Sequence, residues 1–408
     1  MQQTRSFKQL WSSFLISEMG DWLLKIALPL AIYNQTGSAT QMATVYGISF
    51  LPWIFFSLFG GIMADRYNKK LILILGNLVS GILVLILAIL LSTETTQIGL
   101  IYLIVFFQSS VDPLIHPSFQ SILPSIVKDN QFVAANTSIQ LVDNTLNLLG
   151  PLVGGSLAVI LNPNLSIVID AVSFLIAGLL LTLISYQHIE TAVKHHTIFN
   201  DIKTGFHYSY QNKIVWNGAL LFLCTNFATN MFEANFMYFI TGTLKYSALF
   251  AGITMAISGI GAVLGGLIAP ILNNHYSSGK IITSTTILAG LGLVAMFQAT
   301  NFIYIGIAYG VSNLCSNINV ITYFSLRQRV VPEVILGRVV SVTRMISYIA
   351  MPLGSFFGGY LIGHHISLYV IILIAGILRT LVGLYARSTP LGRSNGEESV
   401  VSIEAEKV

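Results

Sequence analysis

The chain has 408 residues, of which 54% are hydrophobic and only 9% charged, with a mean hydropathy of +0.76 and a formal net charge of +4. An ordinary soluble domain is roughly 25% charged, so the composition excludes a water-soluble globular protein. Apolar runs recur along the whole length and leave no soluble domain of useful size. No nucleic-acid partner and no resident cofactor are expected.

The opening "MQQTRSFKQLW" is basic and polar, and the apolar run after it is broken by acids and lacks a small-residue cleavage site, so an uncleaved first span is expected. Runs of roughly 18–25 apolar residues predict about twelve membrane helices. In chain order they are 10–33, 41–63, 71–92, 98–122, 137–160, 165–186, 215–240, 249–272, 281–299, 302–324, 339–362 and 366–387. The roughly ten-residue alternation of a membrane β-barrel is absent, so the fold class is all-α integral membrane. Cys224 and Cys315 fall inside apolar runs and act as small hydrophobes.

Arg5, Lys8, Arg66, Lys69, Lys70, Lys128, Lys194, Lys203, Lys213, Lys280, Arg327, Arg329 and Arg338 lie before span 1 or in even-to-odd connections. The opposite connections carry no Lys or Arg apart from Lys245, so the positive-inside rule puts both termini in the cytoplasm. The longest connection divides the spans six and six. The expected organisation is a first half over 1–186, a cytoplasmic linker over 187–214, a second half over 215–388 and a tail over 389–408. Within the linker Ile198, Ile202, Phe206 and Tyr210 recur every four residues, as in a short interfacial helix. His195 and His196 have no further ligands nearby and read as solvated. Half-length repetition supports two halves: "GGIMAD" at 60–65 matches "GGLIAP" at 265–270, and Gly150, Gly154 and Gly155 match Gly354, Gly358 and Gly359.

After span 2 stands "GGIMADRYNKKLIL", whose Gly61, Asp65, Arg66, Lys69 and Lys70 resemble the loop signature of the major facilitator superfamily. Asn68 replaces its usual glycine, which asparagine's access to left-handed backbone tolerates. In the second-half copy Pro270 replaces the acid. The resemblance implies two pseudosymmetric six-helix halves. It also implies that Gly61 permits close packing while Asp65 and its basic neighbours gate the cytoplasmic seam. "GDWLLKIALPLAIYNQTGSA", "PSFQSILPSIV", "GPLVGG" and "RQRVVPEVILGRVVSV" look like the drug:proton antiporter branch with the macrolide-efflux proteins and the enterobactin exporter.

In that superfamily spans 1, 4, 7 and 10 line the cavity, and those spans carry the polar residues here. Glu18, Asp21 and Lys25 lie in span 1, and Gln108, Asp112 and His116 in span 4. Asn226, Asn230 and Glu233 lie in span 7, and Asn313 and Asn317 in span 10, each set on one helical stripe. Spans 3, 6 and 9 carry hardly any strong polar residues and are expected to face lipid; span 6 has only Asp170, near its outer end. A charge at mid-membrane costs about 2.5–3.5 kcal/mol on insertion scales. Asp21 and Lys25, one turn apart, can offset that cost by pairing. Asp112 and Glu233 have no basic neighbour on their own helix and, with Asp21, are the proton-coupling candidates, since burial disfavours a lone carboxylate. Pro113 and Pro117 are expected to kink span 4. Asp143 is expected to gate opposite Arg344, and Arg379 in span 12 to snorkel toward the cytoplasmic end.

No phosphate-binding loop is present. The expected function is secondary transport by alternating access, with proton-coupled efflux of an amphipathic drug or siderophore first. Import of a nutrient or iron chelate is the rival, and a lipid-translocating protein, membrane enzyme or scaffold the alternative of another class. A monomer in a bacterial inner membrane is expected.

Overall fold

The computed structural model describes residues 5–93, 97–127, 131–186 and 198–394. Lys128, His188, Lys194, His195, His196 and the tail beyond 394 lie outside the described residues, as does the side chain of Asp65.

All regular structure among these residues is helical. The helices are α1 Arg5–Thr36, α2 Ala39–Arg66, α3 Lys69–Leu91, α4 Ile98–Ile126, α5 Phe132–Ile160, α6 Pro163–Thr182, α7 Ile198–Gln211 and α8 Lys213–Glu233. A short turn, α9 Phe236–Tyr238, runs into a π-helical stretch, Phe239–Thr243. Then follow α10 Ala248–His275, α11 Ser278–Ala295, α12 Phe302–Val330, α13 Glu333–Gly363, α14 Leu368–Ser388 and α15 Pro390–Arg393. Seven of them are long and apolar enough to cross a membrane on length and composition alone. The polar stripes lower the hydropathy of α1, α8 and α12.

Several helix starts are written locally. Ser38 Oγ accepts from the Gln41 N–H, Asn68 Oδ1 from Leu71, Asn162 Oδ1 from Leu165, and Asn301 Oδ1 from Ile303 and Tyr304. Each bond satisfies N–H groups that a helix start leaves without partners. Asn68 sits at φ −63°, so its use in the loop is as a cap and not as a left-handed residue. Span 4 runs as one continuous helix over Pro113 and Pro117.

The chain folds as two compact units, Met1–Lys194 with Ala234–Ala256, and His195–Glu233 with Ile257–Val408. In the first, α1 packs along α6 and α5, and α3 along α6 and α4. Ala27, Ile32, Val84, Leu87, Ile101 and Ala171 form its core. Leu71, Leu75, Val79, Ile82, Ile86 and Ile89 make an exposed apolar side of α3, as a lipid-facing helix requires.

In the second unit α13 packs along α8, and α11 along α12 and α14, over a core including Val215, Tyr323, Leu326, Val330 and Val339. The interfacial helix exists as α7, but it docks on this unit instead of standing apart. Tyr208 Oη donates to the Val330 carbonyl at 2.9 Å, and Gly205 lies against the Arg338 carbonyl. Burial pushes the Tyr208 phenol up, which keeps the hydroxyl a donor. Phe206 and Tyr210 remain exposed, edge-on to Trp216. The tail also begins folded: Leu391 is buried and Ser394 O accepts from the Gly279 N–H.

The glycine repeats mark the same joints in each half. A Cβ on Gly60 would stand 2.1 Å from the Pro113 carbonyl of α4, and one on Gly265 2.4 Å from the Leu314 carbonyl of α12. Gly150 likewise lies against the Trp22 ring of α1, and its match Gly354 against the Phe227 carbonyl of α8. Small residues let membrane helices approach backbone to backbone. Gly61, singled out from the loop motif, has nothing within 4 Å of an added Cβ; the close approach belongs to Gly60.

Span 7 departs from one continuous helix. It stops at Glu233, turns at Ala234 and Asn235, and resumes as α9. Residues 234–256 group with the first unit, where Gly155 meets the Ala248 carbonyl and Gly252 the Pro151 carbonyl. The start of α10 thus packs backbone to backbone on α5.

Candidate functional site

In the first unit α1 presents Glu18 and Asp21 half-buried and Lys25 exposed. The charge of Lys25 acts on four carboxylates, those of Glu18, Asp21, Asp112 and Asp170. Asp112 in turn faces His116, whose ring meets Trp53 edge-on at 5.9 Å. Gln108 is half-buried and accepts from Ser109 Oγ at 3.4 Å. The polar residues of spans 1 and 4 thus share one electrostatic environment.

The Asp21–Lys25 pair does not form. Among the described residues no hydrogen bond or ion pair joins them, and the Lys25 ammonium stands 4.8 Å from the Trp22 ring centroid. Trp22 is held for this contact by α5, since a Cβ on Gly150 would lie 2.4 Å from its ring. A cation over an indole face gains electrostatic energy without an acid.

Asp170 belongs to α6, a span expected to face lipid, yet it turns inward. It is 0% exposed, accepts from Ser173 Oγ at 3.3 Å, and its Oδ2 has no hydrogen-bond partner. Gly20 of α1 makes room for it: a Cβ there would stand 2.3 Å from Asp170 Oδ1. The signal in the sequence is that it is the one acid of an otherwise apolar span.

Between α1 and α5 runs an open, mostly apolar cleft of about 640 Å³, with Lys8, Trp11, Leu15, Leu141, Val142 and Leu146 in its lining. Leu15 lies one turn from Glu18. Asp143, next to Val142, accepts from Gln140 Nε2 and Asn147 Nδ2 on its own helix. Arg344 belongs to the second unit and is exposed.

In the second unit Glu233 closes α8, and its Oε1 accepts from Tyr309 Oη of α12 at 2.5 Å. Asn226 donates to the Ser347 carbonyl of α13, and Asn230 to the Asn226 carbonyl, with Asn230 Oδ1 buried and without a partner. Asn317 donates to the Ala262 carbonyl of α10, whereas Asn313 is half-buried. Asn226 and Asn317 therefore brace helices as well as lining a stripe. A buried network that no spacing along the chain announces joins Asn319 to Thr285 and Thr286 of α11.

Arg379 reverses its expectation. It lies midway along α14, is 4% exposed, and donates to Thr229 Oγ1 of α8 at 2.8 Å and Ser316 Oγ of α12 at 2.6 Å. Hydroxyls on both neighbours hold the guanidinium inward, so it does not snorkel.

At the motif loop Lys69 donates to the Ser121 carbonyl near the end of α4 and Lys70 to the Thr182 carbonyl at the end of α6. These are cation contacts with helix C-termini, made inside the first unit. Arg66 is exposed and engaged with a neighbour. Among the described residues no group of three or more His, Cys, Asp or Glu can hold a metal.

The family model of the Major Facilitator Superfamily matches residues 10–355. The uncharacterized MFS-type transporter YfiS of Bacillus subtilis strain 168 is 24% identical over 392 residues, covering 92% of this chain and 91% of YfiS. Macrolide efflux protein A of Streptococcus pyogenes is 21% identical over 352 residues, covering 85% of this chain and 87% of that protein. Among solved structures, the nucleoside transporter NupG superposes with a TM-score of 0.75 at 15% identity, over 94% of this chain and 98% of NupG. A bacterial homologue of the iron transporter ferroportin, inward-facing, gives 0.72 at 14% identity, over 94% of this chain and 99% of that one. With the helices, the glycine joints and the loop motif, these matches make the chain a member of the Major Facilitator Superfamily, a multi-pass membrane transporter and not an enzyme.

Proposed function

We propose that this transporter exports an amphipathic small molecule, of macrolide or siderophore type, from the bacterial cytoplasm in exchange for protons. The observation that carries the reading is the group of four carboxylates under the charge of Lys25 in the first unit. Four carboxylates in a membrane interior with one cation among them are not all charged at low cost. A bound proton neutralises part of the surplus, and the cationic amine of a macrolide-type substrate can take its place, so the two compete for the same charge. That competition is antiport.

The cleft of about 640 Å³ between α1 and α5 has the size and apolar lining of a small-molecule site. Similarity to macrolide efflux protein A favours an amphipathic substrate and outward direction. Within this reading Asp21, Asp112 and Glu233 carry protons. Glu18, Lys25, Gln108, His116, Asn226, Asn230, Asn313 and Asn317 contribute to the cavity. Asp65, Arg66, Lys69 and Lys70 gate the cytoplasmic side, and Asp143 and Arg344 are further gating candidates. The basic connections put both termini in the cytoplasm of an inner membrane, and a monomer suffices.

The test is purified protein in proteoliposomes containing radiolabelled erythromycin or a ferric catecholate, with a pH gradient of either sign or none. Gradient-dependent movement of one compound, reduced in Asp112→Asn and in Glu233→Gln, is expected. A sodium gradient replacing the pH gradient with equal effect overturns proton coupling, and movement only in the importing direction overturns efflux.

A further inference from the structure

We propose that Arg379 is the positioning residue for Glu233, a fixed cation on α14 that balances the charge of the acid at the end of α8. The inference rests on the reading of Glu233 as a coupling acid and names what controls it.

An arginine midway through a membrane helix ordinarily carries its head to the interface. Arg379 does the opposite, and both terminal nitrogens are committed inward, Nη1 to Thr229 and Nη2 to Ser316. Thr229 precedes Glu233 by one turn of α8. Ser316 follows Tyr309 by two turns of α12, and Tyr309 donates to Glu233. Three side-chain bonds thus tie α14, α8 and α12 together: Arg379 to Thr229, Arg379 to Ser316, and Tyr309 to Glu233. Every member belongs to the second unit.

Hydroxyls orient a guanidinium but do not neutralise it. Its Nε is buried without a partner, so the hydrogen bonding of the group is incomplete. The titratable groups whose charges act on Arg379 are Tyr309 and Cys315 from α12 and, less strongly, Glu233 from α8. The α11 seam presents Thr286, Ile287, Gly290 and Val294 to α14. Of these groups, Glu233 is the carboxylate. Removing one member of a buried charge couple is costly because the other is left uncompensated, whereas removing both is tolerated far better. Protonation of Glu233 has the same effect as its removal. It leaves Arg379 unbalanced and weakens the reason for Tyr309 to hold α12 against α8, so the proton is converted into strain among α8, α12 and α14.

The experiment is a double-mutant cycle on the full-length protein: Glu233→Gln, Arg379→Gln, both together, and Arg379→Lys. Thermal unfolding in detergent is measured from mildly acidic to alkaline pH, and erythromycin efflux is measured in proteoliposomes. Each neutral single variant should unfold several degrees lower at alkaline pH, and the double variant should recover most of the loss. Arg379→Lys should keep the pH profile that Arg379→Gln shifts. An additive double variant, or an unshifted profile in Arg379→Gln, overturns the proposal even if efflux is intact. Non-additive unfolding in a protein that moves no erythromycin supports the charge couple and counts against the macrolide reading alone.

Discussion

The hydroxyl of Tyr309 on α12 donates to the carboxylate of Glu233 at the last residue of α8, across 2.5 Å. The same ring packs edge-on to Phe232 at 5.4 Å, so its apolar body and polar tip have separate partners. Tyr309→Phe keeps the ring and removes the bond. A hydrogen bond to a charged group contributes about 1.5–3 kcal/mol, and a loss of that order should appear in thermal unfolding together with slower transport. Unchanged unfolding and unchanged transport would show that only the ring matters.

Lys25 is the cation shared by the carboxylates of the first unit, and its ammonium rests over Trp22. Replacing it by glutamine leaves Glu18, Asp21, Asp112 and Asp170 without that charge. A lost positive neighbour favours protonated acids, so the pH at which transport is half-maximal should move toward alkaline values. Lys25→Arg, which keeps the charge, should stay near the wild-type profile. Equal displacement by both variants would mean that shape, not charge, is what Lys25 supplies.

Adjacent glycines at the end of span 2 separate the loop motif from the packing. Gly60 meets the Pro113 carbonyl closely enough that an added methyl must push α2 from α4, whereas Gly61 faces open space. Overpacking of this kind costs about 1–3 kcal/mol. Gly60→Ala should therefore lower the unfolding temperature clearly and Gly61→Ala hardly at all. Gly265→Ala, at the matching joint with Leu314, should behave like Gly60→Ala. The reverse order would refute the assignment of the close approach.

The α7 helix is fastened to the second unit by the bond from Tyr208 to the Val330 carbonyl. Tyr208→Phe leaves that carbonyl with a 3.4 Å contact from Asn212 Nδ2 and should weaken docking by about 1 kcal/mol. Faster amide hydrogen exchange over residues 198–211, with exchange in α13 unaffected, is the expected readout. Because burial raises the Tyr208 phenol, its bond should persist through neutral and mildly alkaline pH, being lost only as pH rises past the elevated value. Loss of protection already near neutrality would contradict that.

What can be read from the sequence is what depends on nearest neighbours along the chain. Run length and hydropathy mark the spans, and the spacing of Glu18, Asp21 and Lys25 or of Asn226, Asn230 and Glu233 sets each group on one stripe, because a helical turn repeats every 3.6 residues. The glycine repeats are legible too, since the same backbone approach is needed at matching joints. Tertiary structure decides which partner each stripe meets. Lys25 has Asp21 one turn away, yet Trp22, pressed inward by Gly150, occupies it. Asp170 and Arg379 stand alone in apolar spans, and only packing against Gly20 in one case and Thr229 with Ser316 in the other turns them inward. Periodicity determines which residues share a face of a helix. It does not determine what that face touches, because the contact depends on a distant helix, 150 residues away for Arg379 and Thr229.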